Sequence, residues 1–300
     1  MSRLDRVLAA GQFAVTAEIG PPKHADAAKI REMAKLLVTC SDAQNLTDNQ
    51  TAVVRLSSLA AALHVLEEGG EPVLQMTTRD RNRIALQSDL LGAASWGIEN
   101  VLCLTGDHQK FGNHPGSKNV FDLDSVQLLA AVQGMMDGRF LNGEEIKVPP
   151  RLFPGAVENP FAGPSPEFRA ARLVKKARAG ARFIQTQVVY DLEYFRRFMS
   201  EVNRLGNPVP VLVGITPPKS ARALKYMQQV PGFRVPDAVL ARVAGATDQK
   251  EEGLRLAVDL IRELREFPGV AGVHIMAIGW EEVVPRVVEE AGLTSRKMDL

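Results

Sequence analysis

Strand-like and helix-like segments alternate along almost the whole chain of 300 residues, and this alternation constrains the fold more than any other feature. Short apolar runs that are rich in β-branched residues and stopped by Gly, Pro, Asn or Asp indicate strands. Apolar residues three and four positions apart indicate helices. The predicted strands lie near residues 13–19, 41–47, 72–77, 100–105, 151–157, 182–189, 209–214 and 271–277.

Helical patterns separate these strands, and two additional ones precede the last strand. They cover residues 25–38, 51–68, 81–96, 123–137, 166–179, 191–203, 219–229 and 281–291, with the additional pair at 236–246 and 248–266. Because parallel strands need a crossover of helical length, this order predicts an α/β fold: a (β/α)8 TIM barrel with extra helices before the last strand. We expect one domain over residues 1–300. A doubly wound open sheet is the alternative, since a count of strands does not show that a sheet closes.

The composition is that of an ordinary globular protein, with 45% hydrophobic residues, 24% charged residues and a net charge of +1. Without a strong basic field, nucleic acid is not predicted as a partner. The sequence lacks a run of about 18 apolar residues, so we expect no membrane insertion. Cys40 and Cys103 stand far apart in apolar surroundings, which favours buried reduced thiols and a cytoplasmic protein.

Glu18 is the first candidate for a catalytic residue. It lies near the end of the first predicted strand, just before Gly20-Pro21-Pro22, and barrel enzymes carry their catalytic residues at the carboxyl ends of the strands. An ion pair with Lys23 is the alternative role for this carboxylate. Asp107, at the end of the fourth strand, is a second acidic residue in an equivalent place.

Polar side chains end five of the predicted strands, which suggests a polar ligand held over the mouth of the barrel. These residues are Glu18, Thr47, Gln75 with Thr77, Asp107 and Gln187. A basic cluster of Arg169, Arg172, Lys175 and Lys176 lies on the helix before strand six. It is either a solvated helix face or, if one side reaches the rim, a site for a phosphate or diphosphate.

Several common motifs are absent from the sequence. No Gly-x-Gly-x-x-Gly follows the first strand, so a Rossmann dinucleotide site is not predicted. The segment 112–118 has three residues between its glycines where a P-loop has four. The five histidines show no metal-ligand spacing, and we expect no metal site. His108 and His114 flank a long loop after the fourth strand and could contact a ligand.

The sequence resembles the methylenetetrahydrofolate reductases over essentially its whole length, and it has the size of their catalytic barrel. The matching strings are Ala17–Pro22, Leu46–Asn49, Leu104–Asp107, Lys176–Ala181 and Ile184–Gln187. Each string is short, and their order around the predicted barrel makes the combination specific. The loop with His108, His114 and Phe121–Asp124 is most similar to family forms of anaerobic one-carbon metabolism.

The resemblance implies a flavin-dependent reduction of 5,10-methylenetetrahydrofolate to 5-methyltetrahydrofolate. It implies that Glu18 is the general acid, that Asp107 lies near the flavin pyrimidine and the folate pterin, and that Gln187 contacts the pterin. The implied cofactor is FAD, with FMN as an alternative. The implied flavin contacts are Thr47, Gln75, Thr77, Leu104, Thr105, Gly106, Asp107, His108, Asn159 and Lys176.

The chemistry of such a reaction is compatible with these residue types. Opening the imidazolidine ring requires an acid that protonates the departing nitrogen, and a reduced flavin can deliver hydride to the carbon. Without a Rossmann module, NADH or NADPH would reduce the flavin in the folate pocket, in ping-pong fashion. An iron–sulfur or zinc partner subunit could instead supply the electrons, and we expect an oligomer or a heteromeric complex. A folate-binding barrel that transfers one-carbon units without redox chemistry is the alternative enzyme.

Overall fold

Eight parallel strands form a closed barrel in which each strand pairs with the next along the chain and the last pairs with the first. The computed structural model describes residues 1–207, 209–230 and 232–293, so residues 294–300 of the predicted single domain lie outside the described part. The (β/α)8 prediction is confirmed, and the open-sheet alternative is wrong. The strands are β1 Ala14–Ile19, β2 Ala43–Leu46, β3 Pro72–Thr77, β4 Asn100–Leu104, β5 Phe153–Glu158, β6 Phe183–Val188, β7 Val211–Ile215 and β8 Val270–Ile275.

Helices surround the barrel in the described part of the chain. They are α1 Arg3–Ala9, α2 Ala28–Val38, α3 Ser58–Glu67, α4 Arg83–Ser95, α5 Ser125–Met136, α6 Pro166–Arg178, α7 Leu192–Arg204, α8 Ala221–Gln228, α9 Asp237–Ala244, α10 Gln249–Leu264 and α11 Val284–Glu290. Short 3-10 turns occupy Gln50–Ala52, Gln109–Phe111 and Glu281–Val283. The two additional helices predicted before the last strand are α9 and α10. No helix of the described residues is both long and apolar enough to cross a membrane.

The prediction of a helix over 51–68 is wrong in its first half. Helix α3 begins only after Ser57, whose hydroxyl accepts a hydrogen bond from the Ala60 backbone at 3.2 Å. Thr51 and Ala52 have positive φ angles of 55° and 57°, which an α-helix does not allow. The predicted helix over 281–291 likewise starts as a 3-10 turn, and α11 begins at Val284.

Apolar side chains fill the amino-terminal end of the barrel interior. Seven strands each contribute one buried residue to this layer: Ala14, Ala43, Val73, Leu102, Phe153, Phe183 and Leu212. The rings of Phe153 and Phe183 stack with centroids 5.2 Å apart. A Cβ atom at Gly155 would lie 2.2 Å from the Phe183 ring, so glycine is needed there. Leu4 and Val7 of α1 pack onto the same layer and close this end of the barrel.

A larger apolar core lies between the strands and the surrounding helices. Helix α2 contributes one face to this core, on which Ile30, Met33, Ala34 and Leu37 are buried. Cys103 is buried in this core and Cys40 is partly buried, and both are free thiols. Burial raises the pKa of each thiol to about 12, so both stay protonated at neutral pH.

Candidate active site

The carboxyl ends of the strands surround an open mouth. Five strands each contain one partly exposed residue, which lies near the carboxyl end and points into the barrel. All other residues of these five strands are buried. Alternation along each strand places these residues above the apolar interior layer. They are Glu18, Gln75, Leu104, Val157 and Gln187. The structure therefore brings together four residues that the sequence predicted for the site and adds Val157.

A buried polar layer lies directly beneath this mouth. The Asn45 amide donates to Gln185 Oε1 at 2.8 Å, and Gln185 Nε2 lies 3.3 Å from both Asn45 Oδ1 and Thr16 Oγ1. Thr16 Oγ1 lies 2.9 Å from His274 Nδ1. These four side chains come from β2, β6, β1 and β8, and each is nearly fully buried. A hydrogen-bonded layer of this kind fixes the side chains beneath Glu18 in one arrangement.

Glu18 is connected to this layer through His274. The Nε2 atom of His274 lies 3.7 Å from Glu18 Oε2. Since Gln185 donates to Thr16, the Thr16 hydroxyl can donate to Nδ1 of His274 at 2.9 Å or to the Val273 carbonyl at 3.5 Å, and the shorter distance favours Nδ1. In that tautomer the imidazole proton is on Nε2 and faces the carboxylate. The structure thus gives Glu18 a histidine neighbour, and the alternative pairing with Lys23 does not occur among the described residues.

The ends of β2 and β3 meet at the buried carboxylate of Asp48. The backbone N–H and the hydroxyl of Thr77 both donate to Asp48 Oδ2, at 2.8 and 2.9 Å. Arg81 donates to the same oxygen at 2.7 Å. The predicted cofactor contact Thr77 therefore already uses its hydroxyl proton inside the protein. The hydroxyl of Thr47, in contrast, is buried without a hydrogen-bond partner, a state that a bound ligand would relieve.

The segment after β4 contains the predicted residues Thr105 to His108. Gly106 has a φ of +88°, and a Cβ atom there would lie 3.1 Å from the Thr77 side chain, so only glycine is relaxed in this turn. The Thr105 hydroxyl accepts from the Ser125 backbone at 3.2 Å and so binds the first N–H of α5, whose N-cap is Asp124. Asp107 and His108 are exposed, and no hydrogen bond to the Asp107 carboxylate is present within the described ranges. The Asp107 carboxylate is thus available to a ligand.

Lys176 does not point to solvent or into the mouth. Its ammonium donates to Glu158 at 2.8 Å and to the Val157 carbonyl, and its side chain is only 7% exposed. Arg169 also contacts Glu158, at 3.2 Å. Burial lowers the pKa of the Lys176 ammonium, although the Glu158 charge acts in the opposite direction. The solvated-face interpretation is therefore wrong for Lys176, and the implied flavin contact stays a prediction, since two of the three ammonium donors are already used inside the protein.

Asn159, another predicted flavin contact, lies in the same region. Its side-chain oxygen accepts from the Phe161 backbone at 3.0 Å. It shapes the start of the loop between β5 and α6. A cluster of three or more His, Cys, Asp or Glu side chains that could hold a metal ion does not occur among the residues that the structure describes.

Comparison with known proteins identifies the family. The sequence model of methylenetetrahydrofolate reductase matches residues 3–292. The chain belongs to the methylenetetrahydrofolate reductase family. Methylenetetrahydrofolate reductase 2 of Schizosaccharomyces pombe (strain 972 / ATCC 24843) is 27% identical in an alignment 238 positions long that covers 75% of this chain and 36% of that protein. Methylenetetrahydrofolate reductase (NADH) 1 of Arabidopsis thaliana is 23% identical in an alignment, gaps included, 308 positions long that covers 98% of this chain and 50% of that protein.

The chain thus spans about a third to a half of the length of these family members. Among solved structures, an uncharacterised protein from Clostridium thermocellum that binds two copies of 5-methyl-5,6,7,8-tetrahydrofolic acid superimposes with a TM-score of 0.63. The two are 17% identical, and the match covers 97% of this chain and 98% of that one. At this identity the likeness shows a shared fold.

Three features of this family member were not predicted from its sequence: the His274 neighbour of Glu18, the buried Glu158, and a buried arginine, Arg79, at the end of β3. His274 carries a detectable signal, since it is a polar residue near the carboxyl end of the predicted strand over 271–277. Glu158 and Arg79 carry none, because charged residues at strand ends are usually solvated. Their burial depends on helices and loops whose packing is not visible in the sequence.

Proposed function

We propose that this barrel catalyses the flavin-dependent reduction of 5,10-methylenetetrahydrofolate to 5-methyltetrahydrofolate, with Glu18 as the general acid. The observation that carries the proposal is that Glu18 is the acid among the five partly exposed side chains of the mouth and that a buried histidine faces it. Family membership supports the reaction, as do the names of relatives such as the probable NADPH-dependent reductase of Caenorhabditis elegans. The folate bound by the Clostridium thermocellum protein supports the substrate class.

Glu18 supplies the proton that opens the imidazolidine ring. The departing nitrogen must be protonated as its bond to the methylene carbon breaks, and a carboxylic acid at the mouth can do this. His274 faces the carboxylate that forms, with Nε2 3.7 Å from Oε2, while Thr16 contacts the imidazole and Gln185 binds Thr16. Asp107, exposed at the rim, binds the donor groups of the pterin, and the Gln187 amide adds a further hydrogen-bonding group.

The side chains of the mouth support the proposal of a flavin ring. The unpartnered Thr47 hydroxyl and the Gln75 amide offer hydrogen bonds to a polar ring edge, and Leu104 and Val157 offer apolar contact. When bound, the flavin supplies the hydride that reduces the one-carbon unit. Lys176 already binds Glu158, so the residues that support a flavin are those that would contact its ring and not its phosphates. FAD is the proposed cofactor, with FMN as the alternative.

NADH or NADPH is proposed as the electron donor, and a partner subunit as the alternative source. The proposal also includes a cytoplasmic location and an oligomeric or heteromeric assembly. The colour of the purified protein separates this proposal from non-redox one-carbon transfer. A yellow protein that releases flavin on denaturation supports the reductase, whereas a colourless protein that binds folate supports the transferase.

Replacement of Glu18 by Gln tests the central assignment. Gln keeps the shape of the side chain but cannot donate a proton as an acid, and general acids contribute about 10²–10⁴-fold to rate. We expect the folate half-reaction to slow by about that factor, while flavin content and flavin reduction by the donor change little. Stopped-flow measurement of the two half-reactions separates these effects.

A matched control is available at the opposite end of the barrel. Glu71 accepts hydrogen bonds from the Arg3 backbone at 2.9 Å and from the Asn100 amide at 2.8 Å, far from the mouth in the topology. Glu71→Gln should change stability and leave the ratio of the two half-reactions as in the wild type. Equal losses of both half-reactions in Glu18→Gln, or an unchanged folate half-reaction, would end the general-acid assignment.

A further inference from the structure

Arg79 is a buried cation that the proposed mechanism does not use. It is the second residue after β3, and its side chain is only 3% exposed. The guanidinium binds Asp80 through Nε at 2.8 Å and Nη2 at 2.6 Å. It also donates from Nη1 to the Asp107 carbonyl at 3.1 Å and from Nη2 to the Asn49 carbonyl at 3.3 Å. One side chain thus joins the segments that follow β2, β3 and β4.

Both ends of the loop over 107–120 are attached to Arg79. At its start, the Asp107 carbonyl accepts from the guanidinium. At its end, the Val120 N–H donates to the Arg79 backbone carbonyl at 2.8 Å. The loop is long, and its other residues are mostly exposed. Arg79 therefore helps to set where this loop begins and where it ends.

Arg79 also binds the segment that follows β2. Asn49 has a left-handed φ of 45°, and its carbonyl is the one that Arg79 binds. The loop after β4 packs against this segment, because a Cβ atom at Gly112 would lie 1.7 Å from the Ala52 carbonyl oxygen. The Asn113 side chain also accepts from the Val54 backbone at 3.1 Å. The two loops therefore contact each other, and Arg79 binds both.

We propose that Arg79 is the positioning residue of the site: it fixes the Asp107 peptide, and with it the direction in which the Asp107 carboxylate faces the ligand. This inference rests on the proposed function for the role of Asp107. A planar guanidinium with five donors can bind the Asp80 carboxylate and two carbonyls at once. A lysine keeps the charge but cannot bridge the three groups in the same geometry.

The test compares Arg79→Lys and Arg79→Met with Arg242→Met. Arg242 also binds two carboxylates, Glu252 and Asp259, but on the outer helices α9 and α10. Hydrogen exchange of the segment 107–121, flavin content, flavin midpoint potential and the dissociation constant for 5-methyltetrahydrofolate are measured for each protein. If Arg79→Met does not fold, the comparison is made with Arg79→Lys alone.

In both Arg79 variants the backbone amides of 107–121 should exchange faster than in the wild type. Both should bind 5-methyltetrahydrofolate about tenfold more weakly, because the misdirected Asp107 carboxylate loses one charge-assisted hydrogen bond to the ligand. Flavin content should stay near that of the wild type. The midpoint potential should fall in Arg79→Met, because a cation that favours the anionic reduced flavin is gone, and should change little in Arg79→Lys. A purely structural role would not separate the two variants in this way.

Wild-type exchange and wild-type folate affinity in the Arg79 variants would overturn the inference. The same losses in Arg242→Met would also overturn it, since they would then reflect global stability. If the wild-type protein itself binds neither flavin nor folate, the proposed function fails. In that case exchange over 107–121 alone decides whether Arg79 anchors the loop.

Discussion

The buried pair of Lys176 and Glu158 allows a sharp prediction about stability. Replacing Lys176 with Met removes the cation that lies 2.8 Å from a carboxylate that is only 1% exposed. Breaking a buried ion pair by removing one partner typically costs about 3–5 kcal/mol, because the remaining charge is left without compensation. Arg169 still contacts Glu158 at 3.2 Å, and the cost of burying the ammonium is removed. We therefore expect a loss at the lower end, about 3 kcal/mol.

This loss should be visible in thermal unfolding. For 300 residues, the entropy of unfolding is about 0.6 kcal/mol per degree, so a loss of about 3 kcal/mol lowers Tm by about 5 °C. The double variant Lys176→Met with Glu158→Gln should recover much of this loss, since no isolated charge remains. Lys175, the exposed neighbour, is the control, and Lys175→Met should shift stability by no more than about 0.5 kcal/mol.

Flavin content of the same variants decides between structural and cofactor-binding roles. If Lys176 stabilises the barrel through Glu158, the double variant should keep its flavin. An unchanged Tm in Lys176→Met together with lost flavin would refute this reasoning and would favour a phosphate contact instead. Calorimetry and absorbance of the purified proteins provide both measurements.

Two further predictions concern Asp107 and Cys103. A carboxylate beside a bound flavin disfavours the anionic reduced form. Asp107→Asn should therefore raise the midpoint potential, measured by spectroelectrochemistry, and weaken folate binding, measured by titration. If neither quantity changed, Asp107 would not belong to the site. The pKa of Cys103 is raised from 9.0 to about 12 by burial, so the unfolded thiol loses its proton first and stability should fall as pH rises above 9. At pH 10 this loss is about 1 kcal/mol, and Cys103→Ala should show a shallower decline of Tm between pH 8 and 11 than the wild type; parallel declines would contradict the assignment.

The sequence predicts the barrel and much of its mouth for a physical reason. Strand ends are marked by Gly, Pro and polar residues, and all strands of a (β/α)8 barrel present their carboxyl ends to the same side. Glu18, Gln75 and Gln187 can therefore be placed together from the strand pattern, and Leu104 joins them through the resemblance to the family. The hydrogen bonds under Glu18 cannot, because Thr16 and His274 are 258 positions apart and meet only through the register of β1 with β8.

The rim illustrates a second limit. Residues Gln50 and Thr51 follow a predicted strand and precede a clear helical pattern, so local sequence favours one continuous helix. The left-handed backbone at Thr51 and Ala52 arises where the segment meets Gly112, which is 60 positions beyond Ala52. Contacts between loops of this kind leave no periodic pattern. The same holds for Glu158 and Lys176, whose pairing requires that α6 pack against β5.

Helix α1 has a consequence for the order in which the protein folds. Its buried residues Leu4 and Val7 rest on a layer to which seven strands contribute, the last of them β7. The surface that receives this helix therefore does not exist until nearly the whole barrel has closed. Although residues 3–9 are synthesised before every strand of the barrel, they can dock only after the most distant strands have formed, so this early segment is among the last to reach its native place.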